Sequence, residues 1–315
     1  MRLTPFLRLR AELALAGVTI IWGTTFVVVK SALAEVSTFV FLTLRFWVAA
    51  VALILIYQGA IRKTVLFKKG IGPGLFAGTL LFTAYVFQTL GLELTTPSKS
   101  AFLTGLSIPM VPLVSSLVYK TKPRRIEIAG ILIASLGMAL MTLSPAADLR
   151  FGMSRGDLLS FLCAVTFAIH IVIIGHYSQM HGFQSLAVVQ IATAAALGSV
   201  FVWFAEPVRF HLTAGVAAAV LVTGLLATAL AFTTMAWAQQ YTSSTRAALI
   251  FTLEPPVAWL TSYALTGEKM ANRGKVGAGM ILAGILFVEL RRAELRRAEL
   301  QKGKIVTIPS AGTSD

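Results

Sequence analysis

Apolar runs of about 20 residues follow one another along nearly the whole chain. Each can cross a hydrocarbon core of about 30 Å as a helix rising about 1.5 Å per residue. A helix suits that medium because it satisfies its own backbone donors and acceptors. Of the 315 residues, 57% are hydrophobic and only 13% are charged, so no sizeable soluble domain fits between the runs. The runs place ten helices: about 12–34, 38–57, 71–92, 98–119, 125–143, 156–177, 184–204, 214–238, 243–264 and 274–293. Ala32-Leu33-Ala34 resembles a processing site, but the preceding run is long for a signal core and Lys30 interrupts its end. It therefore reads as a retained first helix.

One stretch occurs twice. Thr95–Met141 aligns without a gap on Thr242–Val288. In that single register Pro109 meets Pro256, Gly130 meets Gly277, Gly137 meets Gly284 and Lys99 meets Arg246. Proline removes a backbone donor and glycine admits close helix contact, so these matches carry backbone meaning. A slightly different offset sets Arg45 against Gln190. Five helices per half is an odd number, so the second half starts on the opposite side of the membrane. The expected fold is therefore an all-α polytopic membrane protein with ten transmembrane helices in two inverted five-helix repeats. The first repeat covers 1–145 and the second 146–293, with a cytoplasmic tail over 294–315. After the last helix, Arg291–Leu300 reads as a helical extension on the inner surface, and 301–315 as a flexible end.

The net charge of +14 is distributed as a topology signal. With the N terminus inside, most Lys and Arg fall on the inner flanks, including Arg8, Arg62, Lys68, Lys120, Arg125, Arg246 and Arg291. Tyr57, Tyr119, Tyr177 and Tyr241 fall at the same helix ends, where an amphipathic ring belongs. Both termini are expected in the cytoplasm. The basic excess then needs no nucleic-acid partner; its partner is the lipid bilayer. Cys163 is the only cysteine, so an intrachain disulfide is impossible, and it reads as a small buried residue.

Charges inside a membrane are costly unless paired or set in a wet cavity. Arg45 lies roughly 10 Å deep and Glu254 roughly 15 Å deep, depths compatible with a direct or water-bridged pair. The competing readings are a snorkelling or clamping Arg45 and a Glu254 that only bonds a neighbouring helix. Glu254 precedes Pro255-Pro256, and its repeat counterpart is Ser107, followed by Pro109 and Pro112. Helices interrupted at matching positions point to a transport site. Mid-helix His170 is a further candidate, against a core histidine bonded to a backbone carbonyl. Tyr85 and Gln88 share a helix face, and Trp22 offers a ring for stacking. The candidate substrate-binding set is Trp22, Arg45, Tyr85, Gln88, Ser107, His170 and Glu254. Gly130, Gly137, Gly277, Gly279 and Gly284 read as helix-packing residues, within the chain or in a homodimer. No phosphate loop, metal-ligand spacing or nucleophile elbow occurs, so no cofactor, metal or catalytic residue is expected.

The pattern resembles the EamA family of the drug/metabolite transporter superfamily. The resemblance rests on IIWGTTFVVVK, LRFWVAA, LTTPSKSAFLTGLSIPMVPL, YTSSTRAALIFTLEPPVAWLTSYALTGEK and GAGMILAGILFV, and spans about 12–290. One departure is Lys120-Thr121 where the second copy has Gly267-Glu268. The resemblance implies inverted repeats, a central cavity, and export or exchange of small metabolites across the bacterial inner membrane. The expected function is a secondary transporter, not an enzyme, moving an amino-acid-like or amphipathic compound by alternating access. Proton or counter-substrate coupling and a homodimer stay open. The alternatives are an exchanger of phosphorylated or nucleotide-linked metabolites, which calls for more cavity cations, an intramembrane enzyme using Glu254 and His170, and a membrane scaffold without a cavity.

Overall fold

A computed structural model describes residues 5–63, 68–94, 97–120, 123–142, 154–266 and 272–305. Its elements are α1 (Pro5–Ala32), α2 (Thr38–Lys63), α3 (Ile71–Leu94), α4 (Pro97–Gly105), α5 (Ser107–Tyr119), α6 (Arg125–Thr142) and α7 (Arg155–Met180). They continue with α8 (Phe183–Phe201), α9 (Ala214–Gly224), a π-helical turn (Leu225–Leu230), α10 (Ala231–Ala238), α11 (Ser244–Phe251), α12 (Glu254–Thr266) and α13 (Asn272–Ile305). Among the described residues helices are joined by turns and short connections, and the one β feature is an isolated bridge between Val36 and Phe210. Six helical spans are each long and apolar enough to cross a membrane: α1, α2, α3, α7, α8 and the composite Ala214–Ala238.

Local chemistry fixes several starts. Ser154 and Asp157 form a reciprocal capping box on α7, with Asp157 N donating to Ser154 Oγ at 3.1 Å and Ser154 N to Asp157 Oδ2 at 3.2 Å. Thr213 caps α9 and Ser243 caps α11 through side-chain oxygens. Two spans are broken at repeat-matched places. The first break is at Leu106, whose N donates to Leu103 O at 3.2 Å. The second is at Thr252 and Leu253, whose N atoms donate to Leu249 O and Ile250 O at 3.2 and 3.1 Å. These are tighter, three-residue turns, after which Pro109 and Pro255-Pro256 sit in the first turn of a new helix. There their missing donors cost nothing.

Contacts between helix ends fix the direction of travel. Lys30 Nζ donates to Leu92 O at 2.6 Å, so α1 and α3 finish at one end of the bundle. Phe39 stacks on Phe201, putting the start of α2 and the finish of α8 there too. At that end the 206–211 segment straps across the α1–α2 turn. Ser37 N donates to Arg209 O at 2.9 Å, His211 N to Glu35 O at 3.1 Å, and Arg209 Nη2 to Leu33 O at 2.9 Å. At the opposite end Tyr119 stacks on His176 and Tyr57 meets Phe183 edge-on. Gln240 Nε2 reaches Ser178 O there at 2.8 Å. So α5, α7 and α10 finish where α1 and α8 begin.

α6 and α13 pack with almost no side chain between them. A Cβ on Gly137 would stand 2.5 Å from Gly277 O, and one on Gly284 would stand 2.7 Å from Gly130 O. The higher-numbered glycine of one helix meets the lower-numbered glycine of the other, so the pair is antiparallel. Here Gly130, Gly137 and Gly284 serve contact within the chain, whereas Gly279 has nothing within 4 Å of its Cβ position. α13 runs on to Ile305, past the expected end near 293 and through the start of the expected tail. Strong helix formers (Ala, Glu, Leu and Arg) over Arg291–Leu300 carry it on, and Gly303 falls only near its end. Arg291 and Glu294 pair on its surface at 3.1 Å. Of the expected flexible end over 301–315, residues 301–305 are instead the last turn of α13; the remainder and the Thr121, Gly267 and Glu268 comparison lie outside the described residues.

A candidate substrate cavity

All seven residues expected at a binding site line one cavity. It holds about 800 Å³ of space between atoms, mouth included. Trp22 comes from α1, Arg45 from α2, Tyr85 and Gln88 from α3, Ser107 from α5, His170 from α7 and Glu254 from α12. The lining reaches Val29 and Leu92, near the end at which α1 and α3 finish.

Arg45 is buried and held from three sides. Its Nε donates to Thr228 Oγ1 at 2.6 Å, and its Nη2 donates to Tyr85 Oη at 2.9 Å and to Ala227 O at 3.5 Å. The guanidinium also lies 4.3 Å from the centre of the Tyr85 ring, a cation–π contact. The π-helical turn makes this possible. Its wider winding releases the Ala227 carbonyl, which also accepts from Trp22 Nε1 at 2.9 Å. Gly224 lets α9 approach α2 closely: a Cβ there would stand 3.0 Å from Arg45 O.

Glu254 opens α12 at the break. Among the described residues no ion pair joins it to Arg45, so the direct pair compatible with their depths does not form. Nor does any hydrogen bond reach its carboxylate among them. A carboxylate in the first turn of a helix usually finds backbone N–H donors nearby. Pro255 and Pro256 have none to offer. Gly23 sets the neighbourhood, since a Cβ there would be 2.9 Å from Glu254 O and 2.8 Å from the Val257 side chain. α1 therefore presses against α12 and brings Trp22 beside Glu254. Trp22 packs against Phe232 and Phe251 at centroid distances of 5.3 and 5.2 Å.

His170 bonds a side chain, not the backbone carbonyl weighed for it. Its Nε2 lies 2.8 Å from Gln190 Oε1. Among the described residues its Nδ1 has no partner. Cys163 is buried, 3.8 Å from Thr104 Oγ1.

Several contributors were missed from sequence. Thr228 and Gln190 are polar residues in apolar runs, a signal as strong as that of Gln88, and Gln190 also occupies the repeat position of Arg45. Phe167, Phe232 and Phe251 gave none, because an aromatic in an apolar helix is ordinary core.

Long apolar helices around one amphipathic cavity define a multi-pass membrane protein. The model of the EamA-like transporter family matches residues 9–143 and again 154–290. An uncharacterized transporter of Archaeoglobus fulgidus is 34% identical over 261 residues, covering 83% of this chain and 80% of its own. A second from that organism is 25% identical over 282 residues, covering 82% and 90%. One protein crystal structure superposes with a TM-score of 0.72 at 18% identity, covering 91% of this chain and 98% of its own, a likeness of fold. The chain belongs to the EamA-like transporter family, and these names indicate a membrane transporter, not an enzyme.

Proposed function

We propose that this protein is a secondary transporter that exports or exchanges a small amino-acid-like or amphipathic metabolite by alternating access across the bacterial inner membrane. The observation that carries the reading is that a basic side chain, Arg45, and an acidic one, Glu254, line the same cavity with no ion pair between them among the described residues. A zwitterion would compensate both, its carboxylate toward Arg45 and its ammonium toward Glu254, with its apolar part against Trp22, Phe232 and Phe251. The exchanger of phosphorylated metabolites is disfavoured because, among the described residues, Arg45 is the one Lys or Arg lining the cavity. Proton or counter-substrate coupling would act through Glu254, the one carboxylate lining it among those residues.

We read the bundle as ten crossings in two inverted repeats, over 1–145 and 146–293, with both termini cytoplasmic. The α6–α13 seam supports this. The repeat register sends Gly130 to Gly277 and Gly284 to Gly137, so it converts the Gly130–Gly284 contact into the Gly277–Gly137 contact. Contacts that exchange in this way are the mark of a two-fold axis. The directions agree: α1 and α7 run oppositely, as do α2 and α8. The same end-to-end assignment brings Tyr57, Tyr119, Tyr177 and Tyr241 to the end expected to face the cytoplasm.

The test is Glu254→Gln in proteoliposomes, with candidates drawn from an untargeted comparison of metabolites released by cells with and without the protein. The variant should stay folded but lose about tenfold or more in uptake of a zwitterionic substrate, as expected for a lost charged hydrogen bond. Normal uptake across pH by Glu254→Gln would remove Glu254 from the site.

A further inference from the structure

Away from the cavity, the described chain holds one other cluster of buried charge. Arg246 sits in the first turn of α11 with 4% exposure. Its Nη1 lies 2.9 Å from Glu12 Oε1 on α1. The same oxygen accepts from Arg8 Nε at 3.0 Å and from Thr242 Oγ1 at 3.2 Å. A cation in the first turn of a helix faces the positive end of the helix dipole. Arg246 is therefore poorly placed by its own helix and depends on α1 to bring Glu12. Separating the pair while Arg246 stays buried is costly, so the contact favours α11 held against α1.

The location gives the pair its meaning. The cavity reaches toward Val29 and Leu92, at the end where α1 and α3 finish. The Glu12–Arg246 pair lies at the other end, where α1 and α11 begin. Between them Leu15, Thr19 and Ala248 are all 0% exposed. One end of the pathway is thus sealed by a dry layer, and behind that layer stands a buried ion pair. α11 is also the shorter arm of a broken span. It carries Arg246 at its start and hands the chain through the Thr252–Leu253 break to Glu254. A tilt of α11 about that break would move Arg246 relative to Glu254, which opens α12 on the far side of the hinge.

The repeat repeats the charge pattern. The register that pairs Thr95 with Thr242 sets Lys99 against Arg246, and the register that pairs Arg45 with Gln190 sets Asp157 against Glu12. The sequence thus assigns a cation and an acid to the corresponding positions at the opposite end.

We propose that the Glu12–Arg246 ion pair is a latch that holds the transport pathway shut at the end where α1 and α11 begin. The latch opens when α11 swings away from α1 to expose the cavity on that side. The inference rests on the alternating-access reading above, and it adds the residues that set which side is open.

The test measures sidedness, not transport. With Cys163→Ser as background, Gln88→Cys provides a single cavity thiol. Its reaction with a membrane-impermeant maleimide is timed in membrane vesicles of each orientation. Breaking the latch with the double variant Glu12→Gln/Arg246→Gln removes both charges while keeping side-chain size. It should raise labelling from the α1-start side by about fivefold or more, and lower labelling from the other side, as a shifted two-state population requires. The charge swap Glu12→Arg/Arg246→Glu should return both rates toward those of the parent. Unchanged labelling in the double variant overturns the latch. So does an equal rise from both sides, which marks loosened packing. If the parent is labelled from one side alone, with and without the released metabolites, alternating access itself fails. If the parent shifts sides with those metabolites and the double variant matches it, the latch alone fails.

Discussion

Two glycines on the α6–α13 pair should respond to the same substitution with opposite sign. At Gly137 an added Cβ would stand 2.5 Å from Gly277 O, 2.7 Å from Met280 Cβ and 2.9 Å from Ile281 N. Carbon and carbonyl oxygen normally approach to about 3.3 Å, so the methyl falls short by about 0.8 Å. The obstructing atoms are backbone or Cβ, so no rotamer change relieves them and the two helices must separate. Overpacking of this kind costs about 1–3 kcal/mol, and it acts where helices in lipid rely on close contact for their association. Against it, alanine gains about 1 kcal/mol over glycine in helix propensity. Gly137→Ala should therefore destabilise by up to about 2 kcal/mol. Gly279→Ala, with nothing within 4 Å of its Cβ, should stabilise by about 0.5–1 kcal/mol. The pair is compared by thermal unfolding in one detergent, followed by the loss of the monodisperse peak in size-exclusion chromatography. Once Gly137→Ala has parted the helices, adding Gly284→Ala should cost less than it does alone, because the sites share one seam. If Gly137→Ala melts at or above the wild type, the seam is not held by backbone contact and the reasoning fails.

Thr228→Val preserves shape but removes the acceptor of the Arg45 Nε bond; it should cost about 1.5–3 kcal/mol by the same unfolding assay, and no loss would mean that the bond contributes nothing. Lys120 closes α5 with a φ of 54°, a conformation that favours glycine, so Lys120→Gly should raise stability by up to about 1 kcal/mol, and a lower melting temperature would count against that turn. Ser154→Ala removes half of the α7 capping box and should cost about 1 kcal/mol, with faster amide exchange confined to the first turn of α7; exchange spread along the helix would contradict a local cap.

The apolar runs were legible because lipid demands helices of a set length, and the matched glycines and prolines pointed to the α6–α13 seam and to the two helix breaks. The break at Thr252–Leu253 was half legible: Pro255-Pro256 announced it, but a proline in a first turn and one inside a kinked helix look alike in sequence. The π-helical turn at Leu225–Leu230 was not legible. It depends on Trp22 and Arg45 reaching the Ala227 carbonyl from α1 and α2, and nothing in LLATAL announces partners so far along the chain. Arg246 was counted among the flanking charges, since its depth depends on Glu12, an acid whose importance appears only once α1 meets α11. Among the candidate residues, chemistry inside apolar runs was legible and aromatic packing was not, because a ring in a membrane helix is compatible with every role.

The two halves share backbone features but differ in chemistry at the cavity. Arg45 in the first half meets neutral Gln190 at the repeat position, and Glu254 in the second meets neutral Ser107. Each half thus supplies one charge, and the signs are opposite. The shared backbone logic puts a helix break at both Ser107 and Glu254, and close glycine contacts at Gly23 and Gly224 press α1 and α2 against the second half. In the proposed zwitterion site, a perfectly repeated pair of halves would give two arginines or two glutamates, and an amino-acid-like compound would meet like charge at one of its ends. Divergence at these two positions turns a nearly symmetric enclosure into a dipolar one. It also fixes which way round such a substrate lies, with its ammonium toward α12 and its carboxylate toward α2. In the proposed transporter the orientation would follow the polarity of the wall, while opening toward either end would follow the proposed repeat.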